Sequence, residues 1–458
     1  MLFPVSIHSH LTGDITIQKN QYTVVYTPDT QLINDFLMWI NGEKLILEDT
    51  VSFVNDGEIC SSLYELKKHQ KVLRFQLKSK LVGDYSQQRY HATENDDLLT
   101  LDQFMGEIND SFLKEMMVSF GLTRLMDEKL NMLSTGEFKK ALTIKAADEK
   151  SDLLFVEEPG IGVDKESRKH LNQLFQHLAD NGTSVVVLTS TKKWPVNDQQ
   201  IIEINRSIKE DDSSVTVADI KVPGLKKHLD CECVFELQDV VVRYQNRNVL
   251  DKVNWKIKPN EKWALTGKNG AGKSTLLSII NADNPQSYSN EVYSFGRKRG
   301  AGKSIWEIKE QIGYYSSELH RYLNKRQKVE EVIRSLVIQN PYKKRPLNKE
   351  EYQFRDQILK YFGLYNGLEQ MFYELSPARQ KLVVLCGVLV KNAPLLILDE
   401  PFQGFNDDLV TKAKNLIELY AANRTFIMVT HNEEDFPALI TKRFHLTNGD
   451  GREMKMNS

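Results

Sequence analysis

The strongest chemistry in the chain lies in nine consecutive residues, Gly267 to Thr275 (GKNGAGKST), which form a complete G-x-x-x-x-G-K-[ST] phosphate-binding loop. Ahead of it Lys262 to Thr266 (KWALT) reads as a short buried strand. Behind it Thr275 to Ile280 (TLLSII) reads as the first turns of a helix. This strand, loop and helix order is the setting the motif needs, because backbone N–H groups and the positive end of the helix must converge on phosphate oxygens. Gly267, Gly270 and Gly272 give the backbone that freedom. Lys273 would reach the β- and γ-phosphates, and Ser274 would ligand Mg²⁺. The whole run, through Asn269, Ala271 and Thr275, is therefore expected to bind ATP with Mg²⁺.

Elements must hold that loop in place, and the chain's size and composition bound what they are. A chain of 458 residues is too long for one compact core and suits two or three domains. Charged residues are plentiful but balanced at a net charge of −2, so overall charge gives no strong nucleic-acid signal. The longest apolar run, Leu382 to Leu398, is broken by Lys391, Asn392 and Pro394 and is not expected to cross a membrane. No signal peptide is read in MLFPVSIHSHLTGD. The four cysteines form neither a disulfide framework nor a zinc site, and a cytoplasmic protein is expected.

The chain also repeats itself. LSTGE (Leu133 to Glu137) opens a helical stretch before the hydrophobic strand LLFVEEP (Leu153 to Pro159). LSPARQ (Leu375 to Gln380) likewise precedes LLILDEP (Leu395 to Pro401), and Leu133 to Glu158 spans the same distance as Leu375 to Glu400. VVVLTS, ending at Ser190, and FIMVTH, ending at His431, continue the match to within one residue. Each copy alternates Val/Ile/Leu-rich strands with helical segments, which predicts a mainly parallel sheet covered by helices. VFELQDVVVRY, from Val234, predicts an antiparallel edge sheet. Residues 1–205 and 233–458 are expected to be the two domains, with 206–232 a polar linker. Lys328 to Tyr373 is expected to be a helical portion whose charged residues, YKKRP included, face solvent first and a partner second.

These ordered motifs resemble the ATP-binding cassette (ABC) family over essentially the whole chain. The resemblance implies an α/β fold of two P-loop NTPase domains in tandem, each with a mainly parallel sheet, an antiparallel edge sheet and a helical subdomain. It also implies head-to-tail packing, in which the loop of one domain meets the signature of the other. One composite site would then join Gly267–Thr275, Asp399, Glu400 and His431 to LSTGE, where Ser134, Gly136 and Glu137 face the γ-phosphate. Asp399 would hold Mg²⁺ through water, Glu400 would polarise the attacking water, His431 would contact the γ-phosphate, and Tyr244 would stack on adenine.

The other composite site is expected to be degenerate. Counting back from Leu133 by the Gly267–Leu375 spacing reaches Val24–Asp35 (VVYTPDTQLIND), which has neither Gly nor Lys. Glu157 replaces the first aspartate, Ser190 replaces the histidine, and Pro377 and Ala378 alter the second signature. All these losses fall on one site of a head-to-tail pair.

RGAGKS (Arg299 to Ser304) imitates a phosphate loop, but Arg297 stands where its first Gly is needed, and a basic hairpin tip is expected. Ser317, in IGYYSSELH, stands where the family usually has a Gln. NPQSYSN (Asn284 to Asn290) and FGRKRGAGKSIWEIK resemble a tandem-cassette subfamily. The resemblance implies an ATPase subunit energising a membrane permease, with one chain supplying both halves of the intact site. The alternative is a soluble ABC ATPase acting on ribosomes or nucleic acid; a bare ATP-clamped scaffold is a third.

Overall fold

The structure, a computed structural model, describes residues 3–9, 13–44, 49–55, 58–75, 99–130, 133, 135–161, 163–191, 194, 201–204, 215–225, 231–244, 247–268, 270–302, 304–340, 342–343, 345–430, 433–447 and 449–455. It divides into two compact units, Met1–Ile208 and Lys209–Ser458.

In the first unit β1 (Val5–Ser9), β2 (Gly13–Ile17), β4 (Thr50–Asn55) and β5 (Glu58–Cys60) form an antiparallel sheet in the order β2-β1-β4-β5. Alternation explains its one buried face: Val5 and Ile7 are buried while Ser6 and His8 are not. The parallel sheet contains β3 (Tyr22–Tyr26), β6 (Gln70–Leu73), β7 (Leu153–Glu157), β8 (Ser184–Thr189) and β9 (Ile201–Glu203), ordered β6-β7-β8-β3-β9. Its central strands LLFVE and SVVVLT are buried at every residue, as helices on both faces require.

The second unit repeats this plan. Its antiparallel sheet contains β10 (Phe235–Tyr244), β11 (Arg247–Ile257), β13 (Glu291–Ser294) and β14 (Arg297–Lys298), in the order β11-β10-β13-β14. The second sheet contains β12 (Lys262–Gly267), β15 (Ile312–Ser316), β16 (Leu395–Asp399), β17 (Thr425–Val429), β18 (Lys442–Thr447) and β19 (Asp450–Lys455). It runs β15-β16-β17-β12-β18-β19, parallel except for β19. Thus β3 lies between β8 and β9 as β12 lies between β17 and β18. The crossovers are the same in both units.

The helical portion corrects one expectation. Helix Val329–Val337 buries Val329, Val332, Ile333, Leu336 and Val337, a single stripe at helical spacing. In helix Lys349–Tyr361, however, charged Glu351 and Arg355 are buried as well. Each is paired: Arg345 makes a two-pronged contact to Glu351 at 2.7 and 2.8 Å, and Arg355 reaches Glu330 at 3.1 Å. Part of the charge read as a solvated face, Glu351 and Arg355, is therefore internal, while Arg345 of YKKRP stays exposed.

Two other segments are more built-in than their composition suggests. Of the stretch read as linker, residues 215–225 pack on the second unit, where Ile220 enters the helical core. Arg424 donates to Pro223 O at 2.7 Å and Asn392 to Gly224 O at 2.9 Å. The tip of the β13–β14 hairpin is Phe295–Gly296, not RGAGKS. Arg299 lies beyond it, buried, and donates to Ile280 O at 2.7 Å and to Ser294 Oγ.

Helix Pro377–Val390 presses close to Val329–Val337 at Gly387, where an added Cβ would lie 2.7 Å from a Leu336 methyl. Gly387→Val is expected to destabilise the second unit by about 1–3 kcal/mol through overpacking, read as a lower urea midpoint.

Candidate functional site

The loop after β12 is shaped by glycine. Gly267 has φ +146°, and a Cβ there would come within 2.4 Å of the Leu446 carbonyl of β18. Gly272, at φ +100°, leaves its Cβ position 2.8 Å from Val249 O of β11, and Gly270 is at +77°. No side chain fits at Gly267 or Gly272 without moving backbone. Helix Lys273–Ile280 starts at Gly272, so its first amides have no carbonyl partner one turn earlier. The Lys273 ammonium folds back to donate to Gly267 O at 2.7 Å and Lys268 O at 3.1 Å. Ala271 is buried, Ser274 exposed and Thr275 half-buried in this first turn.

The carboxylates arrive from β16. Ser316 of β15 lies opposite Asp399, and Ser317 N–H donates to Asp399 O at 3.1 Å. Glu400 follows at φ +50°, with its N–H bonded to Val429 O at 2.9 Å. The two acidic groups are near enough to act on Lys273: burial pushes its ammonium below the usual lysine range, while Glu400 and Asp399 oppose that shift. A cradle of left-handed glycines, a helix start, one ammonium and two carboxylates fits a polyphosphate with a divalent cation.

Ser134, Asn269 and His431 lie outside the described residues. Gly136 and Glu137 occupy the first turn of helix Thr135–Asp148. Tyr244 ends β10, half-buried, and its hydroxyl accepts from Asn284 Nδ2 at 2.9 Å. That bond carries no signal in the motif spacing.

At the matching place in the first unit the chain supplies its own charges. The helix after β3, Thr30–Ile40, is capped by Asp29, whose carboxylate accepts from Gln31 N at 2.9 Å. Arg74, one residue past β6, donates to Glu157 Oε2 at 3.1 Å and to Asn34 Oδ1 at 2.5 Å. Glu158 copies the Glu400 backbone, with φ +44° and N–H bonded to Leu188 O at 2.8 Å. Its side chain turns inward to accept from Ser190 N at 2.8 Å and Thr189 Oγ1 at 3.1 Å. Arg74 was not foreseen, because no motif marks an arginine at that position.

Residues 250–403 match the ABC transporter family. The chain is 31% identical over 423 residues to the ABC transporter ATP-binding protein ModF of Escherichia coli, covering 84% of this chain and 85% of ModF. The chain belongs to the ABC ATP-binding proteins. It is an ABC ATPase. An uncharacterized ABC transporter ATP-binding protein of Schizosaccharomyces pombe is 27% identical over 406 residues, covering 83% of each chain. Among solved structures, a dimeric ABC cassette in a post-hydrolysis state with ADP and Pi matches with a TM-score of 0.42 at 24% identity, over 49% of this chain and 99% of that one. No helix among the described residues is long and apolar enough to cross a membrane.

Burial pushes the Glu158 carboxyl from 4.5 up to about 7, against the hydrogen bonds from Ser190 and Thr189. The folded state therefore holds this proton more tightly than the unfolded one. The resulting stability is full below 4.5 and is lost as pH rises through about 7. Glu158→Gln keeps an acceptor oxygen and removes the charge, so it is expected to stabilise the protein at pH 8 by on the order of 1–3 kcal/mol and to have little effect at pH 4.5. Urea unfolding at the two pH values checks this.

Proposed function

We propose that the chain is a tandem ABC ATPase, with domains at 1–205 and 233–458 joined through 206–232, that turns over ATP at one composite site and couples this to a membrane permease. The observation that carries the reading is the contrast between the units. In the second, the glycine cradle and Lys273 meet Asp399 and Glu400. In the first, the matching places are taken by Asp29 and the Arg74–Glu157 pair.

On this reading the amides from Gly267 to Thr275 and the Lys273 ammonium bind the phosphates, and Tyr244 stacks on the base. Ser274 and, through water, Asp399 would hold Mg²⁺, whose charge would offset that of the phosphates. Glu400 accepts the proton of the attacking water, and His431 contacts the γ-phosphate. Ser134, Gly136 and Glu137, at the start of the first-half signature helix, complete the site through head-to-tail packing of the two halves of one chain. The permease would place the protein peripherally on the cytoplasmic face of a membrane.

Three variants separate these roles. Lys273→Ala is expected to abolish ATP binding. Glu400→Gln should retain ATP while hydrolysis falls at least about 100-fold. Ser134→Arg should stop hydrolysis yet leave ATP bound; normal turnover would show that LSTGE does not complete the site. Calorimetry should give one ATP per chain. Glu400→Gln with ATP and Mg²⁺, used as bait in detergent-solubilised cells, should recover a permease; ribosomes or nucleic acid in its place would overturn the transport coupling and leave the ATP site standing.

A further inference from the structure

The segment NPQSYSN, which the proposed site does not use, lies against the strand that ends in Tyr244. Strand β10 pairs with β11 along one side, but on the other it pairs with β13 only from Phe235 to Gln238. Beyond Gln238 that second side has no strand among the described residues. An open edge of this kind leaves backbone groups in need of partners.

Side-chain amides supply them. Val241 N–H donates to Asn290 Oδ1 at 2.9 Å, and Asn290 Nδ2 donates to Val241 O at 3.0 Å. Two residues further on, Arg243 N–H donates to Gln286 Oε1 at 3.1 Å and Gln286 Nε2 donates to Arg243 O at 3.0 Å. A primary amide carries the same donor and acceptor pair as a peptide group. Asn290 and Gln286 therefore continue the ladder where β13 has ended. Asn290 Nδ2 also donates to Gln286 O at 2.8 Å, which ties the two partners together.

Asn284 closes the series. It is 3% exposed, its Oδ1 accepts from Gln286 N at 3.0 Å, and its Nδ2 donates to the Tyr244 hydroxyl at 2.9 Å. On its other side, Asn284 N–H donates to Ser278 O at 3.2 Å, and its Nδ2 lies 3.4 Å from Ser278 Oγ. Ser278 belongs to the helix that begins at the phosphate loop, Lys273–Ile280. The hairpin that carries Tyr244 touches the loop a second time, where Val249 O of β11 lies against Gly272. Part of the Tyr244 ring packs on the second unit's core, and the side chain is otherwise half-exposed.

We propose that Asn284–Asn290 is a clamp that fixes the base-stacking ring of Tyr244 relative to the phosphate loop, with Asn284 as the positioning residue that joins ring and loop helix. This deepens the proposed site and rests on its reading of Tyr244. A tyrosine at a frayed strand end would lose rotamer freedom each time a base stacked on it; held at its hydroxyl, the ring has lost that freedom before the nucleotide arrives. The clamp acts on the nucleoside end of the ligand and not on its phosphates. It therefore sets preference for a nucleotide over a bare polyphosphate.

The test compares Mg²⁺–ATP with Mg²⁺–tripolyphosphate, by calorimetry on the full chain. Asn284→Ala and Tyr244→Phe are each expected to weaken ATP about 3- to 10-fold, the scale of one lost hydrogen bond, and to leave tripolyphosphate affinity as it was. Because the two changes cut the same bond, the double variant should bind ATP no more weakly than the weaker single one. Tyr244→Phe removes only the hydroxyl, so its result stands even if Asn284→Ala fails to fold. Equal losses for ATP and tripolyphosphate, or additive losses in the double variant, would overturn the clamp. Tyr244→Ala separates the two levels of the claim. If it weakens ATP while Tyr244→Phe does not, the stacking reading survives and the clamp falls; if it binds ATP normally, both fall.

Discussion

The second unit depends on a backbone that has no room for side chains. Gly267 is pressed against the Leu446 carbonyl of β18, and Gly272 against the Val249 carbonyl of β11. One of those walls belongs to the parallel sheet and the other to the antiparallel sheet, so the loop lies where the two meet. Its amides can turn toward one point only because both walls hold it there. The Lys273 ammonium, bonded to two carbonyls of the same loop, is held over the cradle at a cost in hydration that burial makes plain. Moving β18 or β11 would change the cradle as surely as changing a glycine.

The first unit has the same strand order without that constraint. After β3 the chain passes through Thr27, Pro28 and Asp29 straight into a helix, and the Asp29 carboxylate takes the place at the helix start that an anion would otherwise fill. Glu157 meets a guanidinium from the same unit, at 3.1 Å. A buried carboxylate without a cation would be left poorly compensated, and Arg74 answers that need from within the chain. On the proposed reading, this unit keeps its fold because its charges are balanced internally.

Much of this was legible in the sequence, for identifiable reasons. The phosphate loop could be read because glycine and lysine at fixed spacing have few other uses, and β7, β8, β16 and β17 because uninterrupted Val, Ile and Leu runs mark strands buried on both faces. The helical portion was harder. Glu351 and Arg355 look like surface residues in any local window, and their burial depends on Arg345 and Glu330, brought near only by folding. Arg299 was misread for the same reason, since its acceptors, Ile280 O and Ser294 Oγ, come from two different elements. The role of Arg74 depends on β6 pairing with β7 in one register, which sequence spacing does not reveal.

The backbone at Glu400 and Glu158 shows how far strain can serve as a sign of chemistry. Both residues lie in the left-handed region, at φ +50° and +44°, where a side chain of this kind costs roughly 1–2 kcal/mol. If the strain were kept for catalysis alone, the unit without a glycine loop would have no reason to retain it. It is retained, and each N–H makes the corresponding bond, to Val429 O in one unit and Leu188 O in the other. The turn is therefore part of the way β16 and β7 leave their sheets. What separates the two glutamates is their surroundings. Glu158 is turned onto Thr189 and Ser190 and held where its proton is lost only near neutrality, whereas Glu400 is close enough to Lys273 to oppose the loss of its charge. The strained turn comes with the fold, and on the proposed reading the neighbouring loop decides whether its carboxylate has phosphate chemistry to do.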